Sequence, residues 1–313
     1  MSTVQERLPT VVIPYETECR TEMCQDVCVY LRPEANGIQV ESVMMRTIQT
    51  SDFYRERVKL VYLANLPGGF IGRRRIIEKH YHLKIKFATR GRGLFTDFMK
   101  RRFSEYFGVP FEKAEIWGSF EVMKRKDYTR TGLFDIWVPQ EKMLFLNGQT
   151  IKQVGDVFII NYDIPAILMK NHIDTDMAVM ILRTDLNPKE VHGLMMRMVD
   201  SLKSQGLVTR GESFTRVFHY SRSPFEQILD GIGFLYDPDG GHVPLKGINF
   251  YAYLLSRGLT DGEIKKIIQY PIFNFRGDDG EYYEKTIYTA SYGMGYDDAY
   301  QTLVSARGQV LLA

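Results

Sequence analysis

Hydrophobic and polar positions change period several times along this chain, and the clearest change comes near its first third. Between residues 80 and 87, Tyr81, Leu83, Ile85 and Phe87 alternate with His80, His82, Lys84 and Lys86. A period of two predicts a strand with one apolar face and one basic face. The turn Thr89-Arg90-Gly91-Arg92-Gly93 follows, and Leu94, Phe95, Phe98, Arg102 and Tyr106 then carry a helical spacing as far as residue 107. A basic strand face, a flexible turn and a helix opening together make an arrangement suited to an anion.

The same reading extends to the rest of the chain. Residues 26–32 and 37–47 alternate and predict two strands, while the apolar run 58–64 has no deciding period. Asn65-Leu66-Pro67-Gly68-Gly69 predicts a chain reversal, with Arg73, Arg74 and Arg75 just beyond it. Residues 114–122 alternate as a further strand. Asn147-Gly148, between the apolar stretches 143–146 and 149–153, is the strongest hairpin signal, and 156–162 continues it as a third strand. Residues 177–183 read as a strand. Asn187-Pro188 then opens a helix to residue 205, with Val191, Leu194, Met195, Met198, Val199 and Leu202 on one face and Gly206 at its end. Beyond it the pattern predicts a hairpin over 208–220 turning at Gly211, a helix from Ser223-Pro224 to residue 235, and a turn at Asp237-Pro238-Asp239-Gly240-Gly241. Helices over 248–257 and 261–270 come next, the second opened by a Thr260/Glu263 capping box, then a hairpin around residues 277–280 and a helix over 297–306.

Strands and helices mix here without regular βαβ alternation, which predicts an α+β fold. Its expected parts are a mixed or antiparallel sheet built from hairpins, several packed helices and a C-terminal αα-hairpin. Residues 1–23, with Pro9 and Pro14, predict an extended N-terminal arm that helps association into an oligomer. A basic α+β domain is expected over 24–150, and a second α+β part over 151–313 that is either separate from the first or continuous with it.

Composition narrows the class. Of 313 residues, 44% are apolar and 25% charged, the profile of a globular chain and not of a disordered one. The first residues carry glutamates and prolines where a signal peptide needs a basic start and an apolar run, and nowhere do 18 apolar residues stand together. A cytoplasmic protein with no membrane association is the expectation.

Charge changes the picture more. The net charge is only +2, yet Lys and Arg outnumber Asp and Glu by ten within residues 51–130. Such segregation points to an anionic partner: an acidic protein surface, nucleic acid or a phosphorylated ligand. The candidate anion-binding residues are Arg73, Arg74, Arg75, His82, Lys84, Lys86, Arg90 and Arg92. The plainer reading is a solvated face matched to acidic residues of the same chain or of a neighbouring copy.

Familiar chemistry is scarce. The sequence has no phosphate loop, dinucleotide fingerprint, nucleophile elbow, H-E-x-x-H or C-x-x-C. Cys19, Cys24 and Cys28 have neither zinc-knuckle nor iron–sulfur spacing. His172, Asp174 and Asp176 recur at every second residue, but as an incomplete ligand set, so no metal or cofactor is expected. The leading expectation is a non-catalytic binding or assembly protein that presents the basic block to an anionic partner. An enzyme acting on a phosphorylated or carboxylated small molecule is the alternative, with Arg90 and Arg92 fixing the anion and Asp163, Asp174 or His172 moving protons. A nucleic-acid-binding module using Phe95, Phe98 and Tyr106 beside the basic face is the third reading.

Overall fold

The computed structural model describes residues 7–17, 25–171, 174–209 and 216–311. In chain order the first elements are β1 (Thr10–Ile13), β2 (Gln25–Leu31), α1 (Ile38–Gln49), α2 (Asp52–Arg57), β3 (Val58–Leu66), α3 (Gly68–Arg74), α4 (Ile76–His80), α5 (His82–Arg90) and α6 (Asp97–Phe107). There follow β4 (Glu115–Gly118), α7 (Ser119–Lys126), α8 (Arg130–Asp135), β5 (Met143–Leu146), β6 (Gln149–Val154), β7 (Val157–Ile160), α9 (Ile164–Lys170) and β8 (Met177–Thr184). The remainder is α10 (Pro188–Ser204), β9 (Phe218–Tyr220), α11 (Pro224–Phe234), α12 (Asn249–Ser256), α13 (Asp261–Gln269), β10 (Ile272–Arg276), β11 (Tyr282–Thr286), α14 (Ile287–Ala290), α15 (Tyr296–Ser305) and β12 (Gly308–Gln309). The protein is α+β, with antiparallel and mixed sheets, and α12 and α13 are the consecutive helices expected late in the chain. Among the described residues no helix is long and apolar enough to cross a membrane.

Contacts divide the chain into two compact units, and the chain passes between them more than once. The first comprises Met1–Ile76, Asn171–Ile264 and Ser291–Gln301; the second comprises Ile77–Lys170, Lys265–Ala290 and Thr302–Ala313. These units differ from the expected segments 24–150 and 151–313. Long-range pairing decides the matter: β2 lies beside β8, and the β5–β6 hairpin spans residue 150.

In the first unit the five strands run in the order β1-β3-β8-β2-β9, all neighbours antiparallel. All eight residues of β8 are buried, as befits a central strand covered on both faces. On one face Val27, Val29 and Leu31 of β2 and Met180 and Leu182 of β8 share a core with apolar residues of α1 and α10. On the other, Tyr30 stacks on His219 at 4.7 Å and on Phe234 of α11 at 4.6 Å. Between β2 and β8 lies a buried ion pair: Arg183 donates from Nε to Asp26 Oδ1 (2.8 Å) and from Nη2 to Asp26 Oδ2 (3.1 Å). Tyr15 donates its hydroxyl to the same carboxylate at 2.6 Å.

Two expectations are corrected here. Residues 37–47 form a helix instead of a strand, because Val40, Val43, Met44 and Ile48 supply the buried i, i+3, i+4, i+8 stripe while Ile38 is 81% exposed. The expected arm is packed over part of its length: Thr10–Ile13 is an edge strand on β3, and Tyr15 reaches the ion pair. Backbone hydrogen bonds need no amphipathic period, so this pairing leaves little trace in the side-chain pattern. The hairpin predicted over 208–220 falls partly outside the described residues, and β9 pairs with β2.

In the second unit β4-β7-β6-β5 form a mixed sheet, with β4 and β7 parallel. The expected hairpin is present between β5 and β6, where Asn147 and Gly148 both hold positive φ (50° and 75°). β11-β10-β12 make a small antiparallel sheet. Phe87, Phe95, Phe103, Phe111 and Phe158 form the core between helices and mixed sheet. The strand predicted over 80–87 is instead the end of α4 and most of α5. Its residues from Tyr81 to Lys86 are all half-buried, as in a helix covered on more than one side, and the alternation that suggested a strand is equally met by Leu83 and Phe87 at i, i+4. Helix α5 also approaches the end of β4 closely: a Cβ on Gly118 would stand 2.1 Å from the Ala88 carbonyl oxygen. The strand expected over 114–122 accordingly ends at Gly118, and α7 begins at Ser119.

Candidate functional site

The residues expected to bind an anion do not form one surface. Arg73 and Arg74 end α3 and Arg75 follows in the left-handed conformation (φ 53°). Arg74 is held over the Phe70 ring at 5.2 Å and reaches the Gly240 carbonyl. His82, Lys84 and Lys86 were expected on one strand face. At 100° per residue a helix sends Lys84 to the opposite side from the other two. His82 and Lys86 line a small cleft of about 140 Å³ with Gln269 and Tyr270. Both His82 ring nitrogens stand next to carbonyl oxygens, of Lys79 (3.0 Å) and Gln269 (2.9 Å), so the ring faces hydrogen-bond acceptors of the same unit. Lys84 pairs with Asp163 at 3.2 Å, which joins a residue of the expected anion site to a proposed acid–base residue as a structural tie. Arg90 lies exposed at the end of α5. Arg92 is tied to the carbonyls of Ala114 and Phe111, to Glu112 and to the face of Phe111.

The metal candidates divide similarly. Cys19, Cys24 and His172 lie outside the described residues, and Cys28 is buried within β2. Asp176 accepts from Arg7, from Asn65 and from the backbone N–H of Gly68, which opens α3. It is a helix-terminus partner. Among the described residues no group of three His, Cys, Asp or Glu side chains is placed to hold a metal ion.

A cavity of about 380 Å³ in the first unit has a clearer chemical character. Four pieces of chain build it: the start of β2, the first turn of α10, the passage from β9 into α11, and residues 292–294. Two helix beginnings open onto it. Asn187 caps α10 by accepting from the N–H groups of Lys189 and Glu190, and Glu190 completes the capping box. Ser223 caps α11 by accepting from the Glu226 N–H. Pro188 and Pro224 occupy the first positions of these helices, where the missing N–H costs nothing. Each beginning contributes the positive end of a peptide dipole.

The side chains agree in sign. Lys189 and Arg222 line the cavity and, among the described residues, no carboxylate does. Arg222 lies over the rings of Tyr220 (5.2 Å) and Tyr292 (5.9 Å), which fixes its guanidinium beside the opening. Its backbone is clamped as well: its N–H donates to Glu226 Oε2 (2.7 Å) and its carbonyl accepts from the Gly293 N–H (2.9 Å). Glu226 stands behind the lining, and burial pushes its carboxyl above the usual range.

Gln227 supplies a directed donor. Tyr296 accepts from the Asp26 N–H and gives its single hydroxyl proton to Gln227 Oε1 (2.9 Å). That sets the amide orientation and points its nitrogen away from Tyr296. Gln227 is 5% exposed, and among the described residues its amide nitrogen has no hydrogen-bond partner. Val27, Val191 and Met294 provide apolar wall, and His192 Nδ1 is 2.8 Å from the Tyr220 hydroxyl. Two cations, two helix beginnings, one amide and an apolar wall therefore meet at this cavity.

No family model, curated protein or solved structure matches this chain.

Sequence reasoning missed this site although it found its parts. The starts of α10 and α11 were legible from Asn187-Pro188 and Ser223-Pro224. Their convergence depends on β9 pairing with β2, a contact between residues almost 200 apart. The charge profile pointed elsewhere because Lys189 and Arg222 are isolated cations in stretches with a slight acidic excess.

Proposed function

We propose that the protein is a binding protein for a small organic anion, held in the cavity of the first unit. The observation that carries this reading is the agreement in sign: both formally charged side chains lining the cavity are cations, and two helix beginnings face it. The anionic partner expected from the charge profile is thus read as a small molecule, and its site as Lys189, Arg222 and Gln227 instead of the 51–130 block. The His192–Tyr220 pair raises catalysis as a second reading. Burial pushes the Tyr220 hydroxyl above its ordinary pKa, and binding is put first because the cationic lining supports it directly.

Calorimetric titration with small phosphates and carboxylates at low salt checks the proposal. The wild type should bind with one-to-one stoichiometry, and Arg222→Met should weaken binding at least about tenfold, by loss of a charge-assisted contact. Substituting all three arginines of residues 73–75 by alanine should leave the affinity within about twofold, since exposed charges outside the site contribute only screened, long-range attraction. Equal losses from the two variants would refute the placement.

A further inference from the structure

We infer that the anion carries an aromatic or heteroaromatic ring, bound flat against Tyr292 with its phosphate or carboxylate directed to Arg222 and Lys189. This rests on the anion-binding reading and goes one step further, to the class of ligand. Tyr292 is the starting point: it is 54% exposed and borders the cavity. That exposure leaves aromatic surface at the cavity edge that a ligand ring can cover.

The ring is not on a loose tether. Gly293, next in sequence, donates to the Arg222 carbonyl (2.9 Å) and holds φ at 69°, a conformation that glycine adopts without strain. Met294 closes the turn onto the Ser291 carbonyl (3.2 Å). The backbone on either side of Tyr292 is therefore set, and its distance to the Arg222 guanidinium, 5.9 Å, places cation and ring as neighbours at the cavity. A ligand ring stacked on Tyr292 would extend the existing series of Tyr220, Arg222 and Tyr292, with its edge toward the wall of Val191 and Met294. A saturated ring of the same size would fill the space but would lose the stacking with Tyr292.

The buried amide of Gln227 fits the same ligand. Its nitrogen carries two N–H donors at the cavity and matches a ring nitrogen, a ring carbonyl or one oxygen of the acid group. A volume of about 380 Å³ is ample for one or two fused rings with an acid substituent.

Titrating the 313-residue chain with matched probes tests this. Phenyl phosphate is compared with cyclohexyl phosphate and inorganic phosphate, and benzoate with cyclohexanecarboxylate and acetate. The inference predicts that, in at least one series, the aromatic probe binds about tenfold tighter than its saturated counterpart, the range expected for stacking on an aromatic side chain. The series with that preference identifies the acid group. Tyr292→Leu keeps an apolar side chain at this exposed position and should bring the aromatic-to-saturated ratio close to one. Equal affinities of aromatic and saturated probes for the wild type, or a ratio untouched by Tyr292→Leu, would overturn the inference while leaving the anion site standing. Failure of every probe to bind would remove both.

Discussion

Replacing Arg183 with methionine is expected to destabilise the first unit by about 3–5 kcal/mol, the cost of leaving one partner of a buried ion pair without the other. Arg183 and Asp26 face each other across β8 and β2, with side chains only 7% and 6% exposed. Arginine's planar fork occupies both carboxylate oxygens and also donates to the Glu16 carbonyl (2.7 Å). Methionine fills much of the same volume but leaves Asp26 with the Tyr15 hydroxyl as its remaining side-chain donor among these contacts. A phenol is neutral when protonated and anionic when not, so Tyr15 can donate a hydrogen bond but cannot supply the positive charge that Asp26 loses. The double variant Asp26→Asn, Arg183→Met removes both charges and should recover at least half of the loss. Denaturant unfolding followed by circular dichroism measures both. A single-variant cost below about 1 kcal/mol would mean that water or backbone relaxation satisfies Asp26, and that the pair does not hold β2 to β8.

Phe103→Ala should cost the second unit a similar amount, about 3–5 kcal/mol, through lost transfer energy and the cavity left behind. Phe103 is fully buried on α6, with ring centroids of Phe158 at 4.8 Å, Phe107 at 5.0 Å, Phe111 at 5.7 Å and Phe95 at 6.5 Å. A site enclosed by four other rings collapses poorly, because flat rigid side chains do not flow into a void. Both tryptophans of the chain, Trp117 and Trp137, belong to this unit. Tryptophan fluorescence therefore reads its unfolding directly. A loss under about 1.5 kcal/mol would show that the core relaxes around the deletion.

Local signals in the sequence were read well where one element's own residues decide its form. The Asn147-Gly148 hairpin, the Asn187-Pro188 helix with its six-residue apolar face, and the Thr260/Glu263 cap all stand in the structure as the pattern implies. Reading failed where two periods fit the same residues. Tyr81 to Phe87 satisfies a strand by strict alternation and a helix by Leu83 and Phe87, and the choice was made by tertiary packing of α5 against β4, which no local pattern contains. The choice of element also decides where the side chains stand. On a strand, His82, Lys84 and Lys86 share a face; on α5 they part, and Lys84 turns to Asp163. The candidate site itself was beyond local reading, since four segments far apart in sequence meet there and its two lining cations are isolated in the charge profile. Its helix caps were visible, but not that they converge.

The proposed site for a small anion is the cavity between α10 and α11 and not the basic stretch 51–130. The most direct measurement is an anomalous difference map at the selenium edge, from crystals of the ordinary methionine protein soaked in sodium selenate. The strongest peak is expected inside the cavity, with selenate oxygens within hydrogen-bonding distance of Arg222 and the Gln227 amide nitrogen, and is expected to be lost in crystals of Arg222→Met. A cavity without a peak, with selenium instead at Arg73, Arg74 and Arg75 or beside His82 and Lys86, would contradict it.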